Sequence, residues 1–303
     1  LPASQPPHLR PPAPAPSSIS ISGNQHTAVL KSVASCVWCR PCCSRSRRPA
    51  SRSSRMSYEA SGHLPELHAT LVNTFTAGTT FPLAWRLTQL RAALRMLQDN
   101  REAWLTAVHR STLKPVDEVV LAEYANAVAE LSRMISEVAA WARPKDVATP
   151  LSLLPAASRE ERQPYGVTLI VGPFNYPLNL VFLPLCGALA AGCPAVLKPS
   201  EASREVADLF EQLVPAYLDT DAVRVCCGGA ATMTALLALR WDHIIFTGSE
   251  RVGKIVAAAA ARHLTPTTLE LGGKCPVILD GEHPVDLQVR RDRGLLMISA
   301  SFT

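Results

Sequence analysis

Gly166-Val167-Thr168-Leu169-Ile170-Val171-Gly172 is an unbroken apolar run with a glycine at each end. A strand covered on both faces needs apolar side chains on both, so the run reads as a central strand of a parallel sheet. The same pattern repeats downstream. Leu178 to Ala191 reads as a helix, and Ala195-Val196-Leu197-Lys198-Pro199 as a second strand. Ser200-Glu201 is expected to cap a helix running to about Tyr217. Ala222 to Cys226 reads as a third strand, followed by a short helix from Thr232 to Leu239. His243-Ile244-Ile245-Phe246-Thr247 is a fourth, and Gly248-Ser249 opens a helix to about Arg262. Thr267-Thr268-Leu269-Glu270-Leu271 is a fifth. Strands alternating with helices at this spacing predict an α/β fold built on a doubly wound parallel sheet. Ligands of such sheets bind at the carboxyl ends of the strands.

Before this core the period changes. Leu83, Leu87, Leu90, Leu94 and Leu97 recur at three and four, one face of an amphipathic helix that Trp104, Leu105 and Val108 extend. Lys114-Pro115 interrupts it. A second helix is expected from Val116 to Trp141, with Val120, Leu121, Tyr124, Val128, Leu131, Ile135 and Val138 as its apolar stripe. Arg143-Pro144 ends it. Residues 145–164 read as a loop.

The chain has 303 residues with 30 Lys/Arg and 25 Asp/Glu. Eight of the basic residues, and no acidic one, fall in residues 1–55, which leaves 22 basic against 25 acidic in the rest. That balance does not suit a nucleic-acid binder. No apolar run is long enough to span a bilayer. Residues 1–55 are rich in Pro, Ser and Arg and are expected to be a disordered basic tail. Met56 is the first Met, so the tail reads as sequence upstream of a start there, with a transit peptide as the competing reading. Cys36, Cys39, Cys42 and Cys43 have C-x-x-C spacing but no second ligand pair, so no metal site is expected. Cys186, Cys193, Cys226, Cys227 and Cys275 sit in apolar contexts, as reduced thiols of a cytoplasmic protein would.

Four strand ends carry candidate site residues. After the first strand, the Asn175 carboxamide could donate to an oxyanion, although an asparagine there also simply ends a strand. After the second, Lys198 and Glu201 could grip two ribose hydroxyls or form a surface ion pair. After the fourth, Gly248-Ser249 opens a helix whose free N–H groups and positive dipole end suit a pyrophosphate. No G-x-G-x-x-G is present. The fifth strand brings Glu270 into Gly272-Gly273-Lys274. A carboxylate there either stabilises the turn or is held for proton chemistry, and burial moves a carboxylate toward the range where a general base works best.

In order, Gly-Pro-Phe-Asn-Tyr-Pro, Lys-Pro-Ser-Glu, Phe-Thr-Gly-Ser-x-x-Val-Gly and Leu-Glu-Leu-Gly-Gly-Lys resemble the motif series of the aldehyde dehydrogenase superfamily. His263-Leu264-Thr265-Pro266 and the Asn-Tyr-Pro wording resemble its class 3 branch, and within it the B-type members. The likeness covers Ala77 to Asp280. It implies a Rossmann-like cofactor domain preceded by N-terminal helices. It also implies that an aldehyde is oxidised to a carboxylic acid with NAD or NADP, through a cysteine thioester. By the same resemblance, Asn175 would stabilise the oxyanion and Glu270 would be the general base. Lys198 and Glu201 would hold the adenosine ribose, Gly248 and Ser249 would contact the phosphates, and Gly253 would let that helix pack closely. Glu250 and Arg251 stand where small residues are often found.

The family's nucleophilic cysteine lies well beyond the glutamate, in a Gly-Gln-x-Cys context. Here Arg290 to Thr303 loses the family wording and holds no cysteine. The reading is therefore a chain truncated before that cysteine and inactive in the family reaction. Cys275 is expected to be a core thiol. A non-catalytic nucleotide-binding or interaction protein, or a splice fragment without function, is the alternative. The domain reading is 1–55 tail, 56–164 helical part, 165–280 NAD(P)-binding α/β domain and 281–303 divergent tail of the catalytic domain. The family is homodimeric, and its oligomerisation elements and C-terminal lipid signal are expected to be missing. Where the missing catalytic half-domain should pack, the sheet is expected to expose a large apolar face.

Overall fold

A computed structural model describes residues 63–274. The expectations for residues 1–62 and 275–303, Cys275 among them, lie outside the described residues. Helix α1 spans Leu64–Thr76, α2 Leu83–Asp99 and α3 Arg101–Thr112. The short helix α4, Val116–Val119, runs through a π-helical turn, Val120–Tyr124, into α5, Ala125–Trp141. Strands β1 (Lys145–Val147) and β2 (Ser158–Glu160) follow. Then come β3 (Thr168–Val171), α6 (Asn179–Ala191), β4 (Ala195–Lys198), α7 (Arg204–Tyr217), β5 (Val223–Val225) and α8 (Ala230–Leu237). The described chain ends on β6 (His243–Gly248), α9 (Glu250–Ala261) and β7 (Thr267–Leu271).

The main sheet has five parallel strands in the order β5-β4-β3-β6-β7. β3 lies at its centre. The chain winds outward from it in one direction through β4 and β5, then returns to β6 on its other side, so the topological switch falls between β3 and β6. Both glycines that bracket the central run have a steric reason. Gly166 has φ +128°, and a Cβ there would lie 2.1 Å from Asp242 Oδ2. That carboxylate accepts the Val167 N–H at 2.8 Å and ties the start of β3 to β6. A Cβ at Gly172 would lie 2.1 Å from Val181 Cγ2, so only glycine lets α6 turn back this close to the strand.

The sheet has an apolar layer on each face. Ile170, Leu197, Val223 and Val225 pack with Leu90 and Leu97 of α2, Trp104 of α3, Leu131 of α5, Phe182 of α6 and Phe210 of α7. Leu169, Val171, Val196, Ile244 and Phe246 pack on the opposite side with Leu64, Leu67 and Leu71 of α1, Leu236 of α8 and Val256 of α9. The sheet strands and their helices thus lie close to the sequence reading, within a few residues at the ends.

Three readings upstream of the sheet and one within it are corrected. The first long helix breaks at Asn100, whose side chain donates to the Met96 carbonyl at 3.0 Å and to the Tyr217 hydroxyl at 3.1 Å. Leu121 leaves the apolar stripe and is 75% exposed, because the π-turn adds a residue and rotates the phase. Residues 145–160 contain an antiparallel ribbon pairing Lys145 with Glu160 and Val147 with Ser158, not a plain loop. Helix α7 is preceded by Ser203, not capped by Ser200-Glu201, and the Ser203 hydroxyl donates to the Phe174 carbonyl at 2.9 Å. On β7, Thr268 and Glu270 face outward and are exposed, so the described rim of the sheet there is polar rather than apolar.

Candidate cofactor-binding and catalytic site

Parallel strands end on the same side, so all the candidate residues arrive at one edge of the sheet. Lys198 closes β4 with only 5% of its surface exposed. Its carbonyl accepts the Gly172 N–H at 3.1 Å, which aligns the ends of β3 and β4. Lys198 Nζ meets Glu201 Oε2 at 2.6 Å, and the two side chains are 6% and 58% exposed. A buried ammonium beside a largely exposed carboxylate differs from a surface pair, because only the carboxylate can be shared freely with solvent or ligand. Burial alone would raise the Glu201 carboxyl. The hydrogen bond and charge of Lys198, with the residue's own backbone N–H, outweigh it and hold the group below the usual carboxylate range.

On the other side of the switch, β6 ends at Gly248 and Ser249 adopts an extended conformation before α9 begins. The Gly253 N–H bonds the Ser249 carbonyl at 2.9 Å. A Cβ at Gly253 would lie 2.7 Å from Leu271 Cδ2, so the missing side chain brings the first turn of α9 down onto β7. Glu250 stands at this helix start, but its carboxylate is drawn along the helix to Lys254 Nζ at 2.7 Å. That hydrogen bond and charge hold the exposed Glu250 carboxyl below its usual range.

Asn175 is 2% exposed in the loop between β3 and α6. Glu270 pairs with Thr247 of β6, one residue before Gly248. It is exposed rather than buried. β7 has β6 as its one partner among the described strands, and alternation turns Leu269 and Leu271 toward the α9 layer and Glu270 away from it. The register therefore divides the set. Lys198 shares the parity of Val196 and so the face of α8 and α9, while Glu270 lies on the other face. Three strand spacings separate β4 from β7, about 14 Å. A ligand touching both must run along the carboxyl edge and cross the switch.

Sequence reasoning missed two residues, Lys114 and Glu123. Lys114 Nζ donates to the Asn175 carbonyl at 2.6 Å and to Glu123 Oε1 at 3.1 Å. Glu123 Oε2 accepts the N–H groups of Leu178 at 3.0 Å and Asn179 at 3.3 Å. The one available signal was an acid inside an apolar stripe. Cys186, Cys193, Cys226 and Cys227 are free thiols. Burial raises all four, Cys226 and Cys227 to about 12. Among the described residues no group of His, Cys, Asp and Glu could hold a metal ion, and no helix is long and apolar enough to cross a membrane.

Fold and edge together define a doubly wound α/β protein whose carboxyl edge offers an ammonium–carboxylate pair on one side of the switch point and a closely packed helix N-terminus on the other. The aldehyde dehydrogenase family model matches residues 69–292, and the chain belongs to that family. It is 41% identical over 239 residues to the aldehyde dehydrogenase family 3 comG of Dictyostelium discoideum, covering 78% of this chain and 51% of that protein. It is 41% identical over 219 residues to the dimeric NADP-preferring aldehyde dehydrogenase of Mus musculus, covering 72% and 48%. The substrate-bound Staphylococcus aureus AldH structure superposes with a TM-score of 0.69 at 36% identity, covering 72% and 47%. A Mycobacterium tuberculosis aldehyde dehydrogenase complexed with NAD+ superposes with a TM-score of 0.59 at 27% identity, covering 68% and 43%. The chain spans about half the length of the curated relatives it matches.

Proposed function

We propose that the chain is the cofactor-binding part of an NAD(P)-dependent aldehyde dehydrogenase. The observation that carries this reading is the Lys198–Glu201 pair, anchored at the end of β4 across the switch point from the N-terminus of α9. The residues fit a dinucleotide. Lys198 and Glu201 would hold the ribose, donor and acceptor to its two hydroxyls. Gly248 and Ser249 would meet the phosphates at the helix N-terminus, and Gly253 removes the side chain that would lift that helix away from β7. When bound, the dinucleotide supplies a hydride acceptor.

The chain's own residues supply binding and proton handling. The Asn175 carboxamide would donate to the aldehyde oxygen as negative charge develops on it. Glu270, open to solvent at the edge, would take a proton from water attacking a thioester. The thioester-forming thiol would be one outside the described residues, because burial raises Cys186, Cys193, Cys226 and Cys227 and so favours their neutral form. As a polypeptide of these 303 residues, the chain is expected to bind the dinucleotide without turning over aldehyde.

Thermal shift with NAD+ tests the reading. At ten times Kd the expected stabilisation is about 1.4 kcal/mol, roughly 3–6 °C for a domain of this size. Lys198→Met should abolish most of it. No shift for the unsubstituted chain would remove the proposal. The Glu201 carboxylate, held in its charged form, would repel a 2′-phosphate, so NAD+ should bind more tightly than NADP+. Glu201→Gln should narrow that preference severalfold, the effect of about 1 kcal/mol expected between charges in a wet site. Calorimetry with both dinucleotides measures it.

A further inference from the structure

We propose that Lys114 and Glu123 are positioning residues, a buried clamp that fixes Asn175 by holding the loop at both of its ends. The proposal rests on the oxyanion role given to Asn175 above. Leu113, the residue that follows the last of helix α3, has φ +60° and is 80% exposed. This left-handed residue turns the following Lys114 inward. The Lys114 carbonyl accepts a hydrogen bond from His109 Nδ1 at 2.6 Å, and its N–H bonds Thr112 Oγ1 at 3.4 Å. With its backbone so tied, the Lys114 side chain is only 3% exposed and its ammonium lies 3.6 Å from the centre of the Tyr176 ring.

From there the clamp has two arms. Lys114 Nζ donates to the Asn175 carbonyl at 2.6 Å, which holds the incoming limb. Glu123 Oε2 takes the N–H groups of Leu178 and Asn179 at 3.0 and 3.3 Å, which holds the outgoing limb where α6 begins. Leu178 has no capping side chain of its own, so a carboxylate from the π-turn does that work from another element. The Lys114–Glu123 contact at 3.1 Å joins the arms.

Stability alone does not account for the pair. A buried ion pair replaced by apolar groups of similar volume is often no less stable, whereas breaking one partner is costly. An apolar pair could fill this space, but it could hold neither the Asn175 carbonyl nor the two N–H groups. The difference matters because a displacement of about 1 Å at a catalytic group can cost on the order of a hundredfold in rate.

The experiment compares the full chain with Lys114→Met and with the double variant Lys114→Met/Glu123→Leu. The readouts are melting temperature, amide hydrogen exchange and the nitrogen-15 spectrum. In that spectrum the Asn175 side-chain amide is identified by its loss in Asn175→Ala. Lys114→Met should melt well below the unsubstituted chain. The double variant should regain most of the melting temperature, yet keep exchange at Leu178 and Asn179 at least about tenfold faster and show a shifted or broadened Asn175 amide. If Lys114→Met does not fold, the double variant alone decides. Recovery of both melting temperature and protection in the double variant would make the pair merely structural and overturn the proposal, as would an unmoved Asn175 amide. Loss of protection in a chain that shows no NAD+ thermal shift would count against the proposed function and still support the clamp.

Discussion

A polypeptide of these 303 residues is expected to produce no NADH or NADPH from an aldehyde, at any dinucleotide concentration that saturates its thermal shift. The reaction turns on a thiolate. Covalent aldehyde oxidation needs a cysteine that is largely ionised and open to the substrate. Cys186 is fully buried, and burial alone pushes its thiol far up. Cys226 and Cys227 are pushed to about 12, by burial first and by the nearby Glu211 carboxylate second. At neutral pH such a thiol stays protonated. Cys193 is raised as well, chiefly by burial. No cysteine follows Cys275 in the sequence. Absorbance at 340 nm over several hours measures the reaction. A signal that Cys275→Ser removes would show that a thiol outside the described residues has taken the nucleophile's role, and the expectation would be wrong.

The same burial explains what the sequence could and could not announce. The inner strands of the main sheet were legible because burial on two faces demands an apolar run, and Val167 to Val171 or Ala195 to Leu197 has few other readings. Candidate site residues were legible because they sit at the ends of those strands, where a parallel sheet gathers them. What failed was information carried by another element. Leu121 looked like stripe because the count assumed 3.6 residues per turn, and one π-turn put it into solvent while turning Glu123 into the core. Ser200-Glu201 looked like a cap. The Ser203 hydroxyl and the Glu201 carboxylate are instead engaged by Phe174 and Lys198, contacts that no local pattern encodes. Glu270 looked buried because its neighbours are leucines, but an edge strand has one covered face and one open face. Lys114 and Glu123 were invisible as a pair. Lys114 lies in the link after α3 and Glu123 in the π-turn, and their shared target is a loop more than fifty residues further on.

Trp104→Ala should destabilise the whole described body by about 3–5 kcal/mol, the usual cost of removing a large, fully buried side chain. Trp104 is 0% exposed, packs edge-on against Phe210 of α7 with ring centres 4.9 Å apart, and donates from Nε1 to the Met96 carbonyl at 3.3 Å. At about 2–4 °C per kcal/mol the melting temperature should fall by roughly 6–20 °C. The shape of the transition is the more informative result. The change of sequence pattern at residue 165 separates a helical part from an α/β part, which we propose as a division of labour rather than of folding. Residues of α2, α3 and α5 share one apolar layer with α6, α7 and the strands themselves. A change in α3 should therefore lower a single calorimetric transition without splitting it. Two transitions, only the first of them shifted, would mean that the helices fold as their own unit. A single transition also bears on the site, because Lys114 and Glu123 belong to the helical layer and the loop they grip belongs to the sheet. A helical layer that melted separately could not hold Asn175 in place while the dinucleotide half stayed folded.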